Sequence, residues 1–146
     1  MPYFTAVLAR TADAWQARLV DVDGAEGVDE LADRLRAVAD DDEPVVLMLE
    51  REDAWFAVAR VEGAEDPKVF VSDAAAARAS TYVDALGLDP DGADEGPVGD
   101  FDVLEDLGTS PAELTELTGE DGPATGDAVI RLAEAAGFAE VVESLR

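Results

Sequence analysis

The chain has no histidine and no cysteine, a single lysine (Lys68), a single isoleucine (Ile130) and no asparagine. The first two absences remove the imidazole and thiolate groups from which most zinc sites and most activated nucleophiles are built. They also exclude disulfides and thiol redox chemistry, and they leave the compartment open. Basic charge is scarce: 10 Lys and Arg stand against 35 Asp and Glu, a net charge of −25. A field of that sign repels nucleic acid and anionic membranes and attracts basic surfaces. The basic residues are scattered among acids, so no patch suited to phosphates forms and direct nucleic-acid binding is not expected. The longest N-terminal apolar run is cut by Arg10, so neither a signal peptide nor a membrane span is expected and the chain reads as cytoplasmic.

What remains is a chain that can fold. Apolar residues make up 48% of it, which separates it from a disordered acidic tail. At 146 residues it fits one ordinary domain with a small appendage. Three origins of the acidity stay open: the bias of a GC-rich genome, salt adaptation, and selection for a basic partner.

Tyr3–Leu8 and Trp15–Val22 read as a hairpin around a polar turn. Both residue sets of the first strand are apolar, so it is expected to be central or covered on both faces. Val28, Leu31, Leu35 and Val38 recur at helical spacing, with acids early and arginines late, as the helix dipole favours. Pro44 stops that helix, and Val45–Leu49 follows as an uninterrupted buried-strand signal. Trp55–Val61 and Lys68–Val71 complete five strands. Ser72 or Asp73 caps an alanine-rich helix that is expected to run to Leu86, before Gly87. Its small side chains suit close packing on a sheet and also suit pairing with a second copy.

The order β-β-α-β-β-β-α predicts an α+β fold, an antiparallel five-stranded sheet with packed helices, over residues 1–88. It is similar to the order of longin and roadblock-type domains, a likeness of fold alone. Residues 89–97 are rich in Pro, Gly and acid and read as a linker or loop. Residues 98–146 are expected to form a helical C-terminal subdomain. Ser110-Pro111-Ala112-Glu113 is a capping box with proline at the first helical position, and Gly137 closes a helix that carries Val129, Ile130 and Ala133.

Chemistry finds little purchase. Asp89-Pro90-Asp91 departs from a calcium loop, because Ala93 and Asp94 hold the positions that need an oxygen ligand and a glycine. Asp21 with Asp23, and Asp100 with Asp102, offer carboxylate pairs to magnesium, yet in so acidic a chain such pairs arise by chance. The serines have no histidine to activate them. Glu50 is the nearest candidate for acid–base work, although a carboxylate at a strand end is expected to face solvent. No catalytic residue, metal site or cofactor is therefore assigned. The acidic segments Asp40, Asp41, Asp42, Glu43 and Asp89, Asp91, Asp94, Glu95 are the candidates for docking on a basic protein.

Five segments occur in a familiar order: Tyr3-Phe4-Thr5-Ala6-Val7-Leu8-Ala9-Arg10, Trp55-Phe56-Ala57-Val58, Val69-Phe70-Val71-Ser72-Asp73, Pro97-Val98-Gly99-Asp100-Phe101 and Ala135-Ala136-Gly137-Phe138-Ala139-Glu140. Together they resemble the actinobacterial tRNA adenosine deaminase-associated proteins across nearly the whole chain. The resemblance implies a partner, the deaminase that converts wobble adenosine to inosine in tRNA, and supplies no catalytic or binding residues. The chain cannot be that deaminase, whose zinc needs His and Cys ligands. The expectation is a non-catalytic acidic accessory protein that binds or regulates the enzyme, without direct nucleic-acid or membrane binding. The alternative is a self-associating or ligand-sensing scaffold of longin or roadblock kind, for which a homodimer is expected. A carboxylate-based or metal-dependent hydrolase is the third reading, and it requires a deep pocket holding two or more converging carboxylates of raised pKa.

Overall fold

Two neighbouring strands without a polar face cannot sit at a surface, and this decides the architecture. A computed structural model describes residues 3–11, 14–18, 20, 22, 24–40, 43–51, 54–89, 91–92, 96–118 and 122–145. The chain runs Tyr3–Thr11 (β1), Ala14–Arg18 (β2), Val28–Arg36 (α1), Val45–Arg51 (β3), Trp55–Val61 (β4), Lys68–Val71 (β5), Ala74–Arg78 (α2) and Val98–Gly99 (β6). A short 3-10 turn at Glu105–Leu107 then leads to Pro111–Glu116 (α3), Thr125–Ala136 (α4) and Ala139–Ser144 (α5). Every paired strand is antiparallel, in the order β2-β1-β3-β4-β5-β6. The α+β class and the antiparallel sheet agree with the sequence, and β1 lies inside the sheet as its doubly apolar pattern requires.

The sheet has six strands, where the sequence predicts five. Val98 pairs with Val71 and Gly99 with Phe70, so the segment expected to begin a helical region begins as an edge strand. Two residues carry no periodicity for a sequence reading to find. Gly99 lies at φ 110, and a Cβ there would stand 2.1 Å from the Val69 carbonyl oxygen, so only glycine permits this approach.

Alternation along β3 and β4 sends side chains to two separate cores. On one face Leu47, Leu49, Trp55 and Ala57 pack with Leu31, Ala32 and Leu35 of α1 and with Ala77 and Leu86. On the other, Val46, Met48, Phe56, Val58 and Leu8 pack with Leu114, Val129, Leu132, Phe138 and Val142 from α3, α4 and α5. The C-terminal helices thus form the second covering layer of the sheet. Trp15 of β2 meets the Phe138 ring edge-on at 5.0 Å, which ties the last helices to the sheet's outer strand.

Local chemistry sets the helix ends. Asp29 and Glu30 open α1 and Arg34 and Arg36 close it. Asp73 is the cap of α2, accepting from the Ala76 N–H at 3.1 Å, whereas the Ser72 hydroxyl accepts from the Phe56 N–H and extends the β4–β5 ladder. The alanine helix stops at Arg78 rather than continuing to Leu86. Ser80 Oγ donates to the Ala77 carbonyl at 2.6 Å and accepts from the Tyr82 N–H, so its side chain competes with the helical ladder. Ala74 and Ala77 are the fully buried members of α2, and Ala77 packs in the first core with residues of β3 and β4, which is the packing use of small side chains. β2 ends at Arg18, short of the expected Val22, which is buried in the first core. Ser110 caps α3 as the sequence indicates, accepting from the Glu113 N–H at 3.2 Å while donating to that residue's carboxylate.

Phe138→Ala removes a side chain that is 1% exposed and strands Trp15. It should destabilise the chain by about 3–5 kcal/mol in urea unfolding, the range of large-to-small core substitutions.

Candidate interaction surface

Two charged side chains lie inside the sheet face that the C-terminal helices cover. Glu50 lies one residue before the end of β3, on the same face as Val46 and Met48, and Arg60 lies on β4 on the face of Phe56 and Val58. Glu50 is 1% exposed and Arg60 9% exposed. The strands are antiparallel and Glu50 lies opposite Phe56, so Arg60 is four residues away, about 13 Å along the sheet. Each charge meets one end of the helical region. Thr125, the first residue of α4, donates from its hydroxyl to Glu50 Oε2 at 3.0 Å. A carboxylate at the start of a helix of this length is favoured by the dipole and the free N–H groups of its first turn. The expectation that Glu50 faces solvent is thus corrected: it points into the second core and holds a helix.

At the other corner Arg60 binds Asp106 through both terminal nitrogens, Glu62 at 2.7 Å and the Val103 carbonyl at 3.3 Å. The bond to Asp106 is the main reason that the Arg60 guanidinium holds its proton more tightly than an ordinary arginine, against the opposing effect of burial. The same bond lowers the Asp106 carboxyl below the usual aspartate range. Lys68 and Asp102 form a second, exposed pair at 2.9 Å, whose hydrogen bond raises the lysine and lowers the aspartate. The two pairs clasp the 102–106 turn to β4 and β5. They border an open depression of about 410 Å³ lined wholly by charged side chains, among them Glu62, Glu65, Asp66 and Glu105. General-acid catalysis needs a carboxyl raised toward neutrality. The shifts at Asp102 and Asp106 run the other way.

The pair Asp100 and Asp102 is divided between different tasks. Asp100 Oδ2 accepts from the Val69 N–H at 3.0 Å and prolongs the β5–β6 ladder, while Asp102 holds Lys68. Among the described residues no group of three or more potential ligands forms a metal site. Asp21 and Asp23 lie outside the described residues.

The docking candidates fall in two places. Asp40 and Glu43 are exposed in the turn before β3, where Glu43 lies 4.0 Å from Arg10. Asp89 and Asp91 are exposed in a turn that Asp89 builds itself, Oδ1 accepting from the Asp91 N–H at 2.9 Å and the main-chain oxygen from Arg78 Nε at 3.1 Å. Asp41, Asp42, Asp94 and Glu95 lie outside the described residues. Among the described residues no hydrogen bond or ion pair joins the two segments. Exposed carboxylates also line the helices: Asp29 and Asp33 on α1, Glu113 and Glu116 on α3, Glu134 on α4 and Glu140 on α5.

A family model described as Rv3753c-like tRNA adenosine deaminase-associated protein matches residues 3–139. The chain belongs to this family. The match runs from the first residue of β1 to the first of α5, so sheet and helical layer are parts of one family unit. No curated protein and no solved structure matches the chain. Among the described residues no helix is long and apolar enough to cross a membrane.

Glu50 and Arg60 escape a reading of motifs because neither belongs to one. The signal is the interrupted alternation: a charge on the same face as Met48, or next on the face that carries Phe56 and Val58, must be buried if the strand is covered on both faces. Asp106→Asn leaves Arg60 with a weaker partner and should cost about 1–2 kcal/mol, reduced because Asp106 is largely exposed. Asp106 titrates lower in the folded chain than in the unfolded one, so its contribution is complete at neutral pH and is lost as pH falls through the folded value. The stability difference between wild type and Asp106→Asn should accordingly hold from neutral pH down to about pH 5 and close below the ordinary aspartate pKa, measured by urea unfolding across that series. Glu50→Ala should cost about 1–3 kcal/mol by loss of the Thr125 bond, with the loss of amide protection concentrated in α4 by hydrogen exchange.

Proposed function

We propose that this chain is a non-catalytic accessory protein that docks on the basic, tRNA-facing surface of a tRNA adenosine deaminase and regulates the access of tRNA to it. Membership of the deaminase-associated family supplies the partner. The chain lacks every histidine and cysteine that the deaminase zinc requires, so its part in the reaction is played on the enzyme.

The observation that carries the reading is how the few cations are used. Arg10, Arg34, Arg36, Arg60 and Lys68 each pair with a carboxylate of this same chain, and Arg78 is held by a main-chain oxygen. The exposed carboxylates outnumber these cations: Asp29 on α1, Glu113 and Glu116 on α3, Glu134 on α4 and Glu140 on α5 face solvent and form no ion pair among the described residues. A tRNA-binding enzyme must present clustered Lys and Arg, and an acidic protein steered onto that cluster competes with tRNA for it. Asp40, Glu43, Asp89 and Asp91, with the acids beside them, are the steering segments of this reading. A self-associating scaffold built on the alanine helix has less support, because Ala74 and Ala77 are fully buried within the chain.

Calorimetric titration into the deaminase should give binding at ~50 mM salt that weakens at least tenfold by ~300 mM, as screening shortens to a few ångströms. Added tRNA should compete. Absence of heat and of co-elution at every salt concentration ends the proposal.

A further inference from the structure

We infer that the groove between β5, β6 and the connection that follows α2 is the anchoring point for the partner, taking a bulky apolar side chain from a basic segment of the deaminase. The inference rests on the accessory reading and adds to it a location and a ligand chemistry. The groove measures about 450 Å³, room for one or two large side chains. Six apolar side chains line it, Val28, Val69, Val71, Leu86, Leu88 and Val98, beside the charged Arg78, Asp89 and Asp100. Val28, Val69, Leu88 and Val98 remain half-buried, so folding leaves this surface incompletely covered.

The acidic residues on the lining are Asp89 and Asp100. The one basic side chain on the lining, Arg78, is engaged with the Asp89 carbonyl. An apolar lining that also carries these two carboxylates complements an aliphatic or aromatic anchor flanked by Lys or Arg. Fully desolvated anchors of that kind carry most of the energy of an interface, while rim charges govern the rate of encounter. The depression at Arg60 differs in being lined by charged residues alone, and the one at Ser72, with Phe56 and Leu117 on its lining, has Asp73 as its single acidic residue. Part of the wall is backbone. Gly87 lies at φ +71, and a Cβ there would stand 2.4 Å from Val28 Cγ2, so the shape of the groove does not depend on side-chain rearrangement at that point.

The test is a titration of the ¹⁵N-labelled full chain with the deaminase, followed at the amides of Gly87, Gly92 and Gly99, which line the groove and are easily resolved. Calorimetry accompanies it on wild type and on Leu88→Arg. The expected result is perturbation centred on the three glycines and affinity lowered at least tenfold by Leu88→Arg. Wild-type affinity in a Leu88→Arg variant with native near-ultraviolet dichroism would overturn the inference. So would perturbation confined to other surfaces, or a tRNA titration that perturbs the same three glycines. The wild-type map needs no substitution and decides the matter if Leu88→Arg fails to fold. A deaminase that does not bind wild type ends the accessory reading instead. The groove is then judged with a peptide of alternating leucine and lysine: perturbation of the three glycines upholds a site for basic apolar segments, and none removes it.

Discussion

Strands β3 and β4 expose apolar side chains on both faces, and the rest of the molecule is organised to cover them. Residues from Val45 to Glu50 and from Trp55 to Val61 are all buried. A sheet of this kind cannot have one wet face, so it needs two layers. The first comes early, as α1 and α2. The second can come only from the C-terminal third, which is why α3, α4 and α5 bury Leu114, Leu132, Phe138 and Val142 against Val46, Met48 and Val58. The amphipathic spacing of those helices matches the opposite face of the sheet, and neither part presents an alternative partner.

Two buried charges complete the second layer. Glu50 meets the start of α4, and Arg60 meets the turn that leads toward α3. Buried ionic groups of this sort are weak sources of net stability and good specifiers of register. Placed about 13 Å apart on one sheet face, they leave a single orientation in which both find partners. The same economy governs the outside. With five cations taken into internal ion pairs, the large acidic excess has no internal neutraliser, and its self-repulsion is offset by the two apolar cores. Structural use of the cations and outward presentation of the anions are thus one arrangement.

Elements with strong local signals were legible in the sequence. The apolar run at Val45, the 3-4 spacing from Val28, the Ser110 box and the glycine after Ala136, at φ 93, all reside where residue chemistry places them. Features set by distant contacts were not. β6 is two residues long and exists because β5 offers an edge and Gly99 permits the approach. The helical tail looks like an appendage until the second face of β3 is counted. α2 ends early because one hydroxyl, that of Ser80, turns inward to the backbone. The acidic segments were visible as charge, and Asp40, Glu43, Asp89 and Asp91 are indeed exposed. The groove beside Asp89 was not, since its lining is gathered from Val28, from Pro67, Val69 and Val71, from Arg78, from 86–89 with Gly92, and from 98–100, stretches with no shared pattern.

The dependence of the sheet on its second layer is the premise for everything else, including the orientation of the acidic helices. It is tested most directly by equilibrium urea unfolding of residues 1–97 beside the full chain, with far-ultraviolet dichroism and intrinsic fluorescence recorded together. Without the C-terminal helices the face carrying Met48, Phe56 and Val58 is bare, and the fragment should show no cooperative transition and should aggregate. A fragment that unfolds in one sharp, coincident transition with most of the stability of the full chain would contradict the two-layer account.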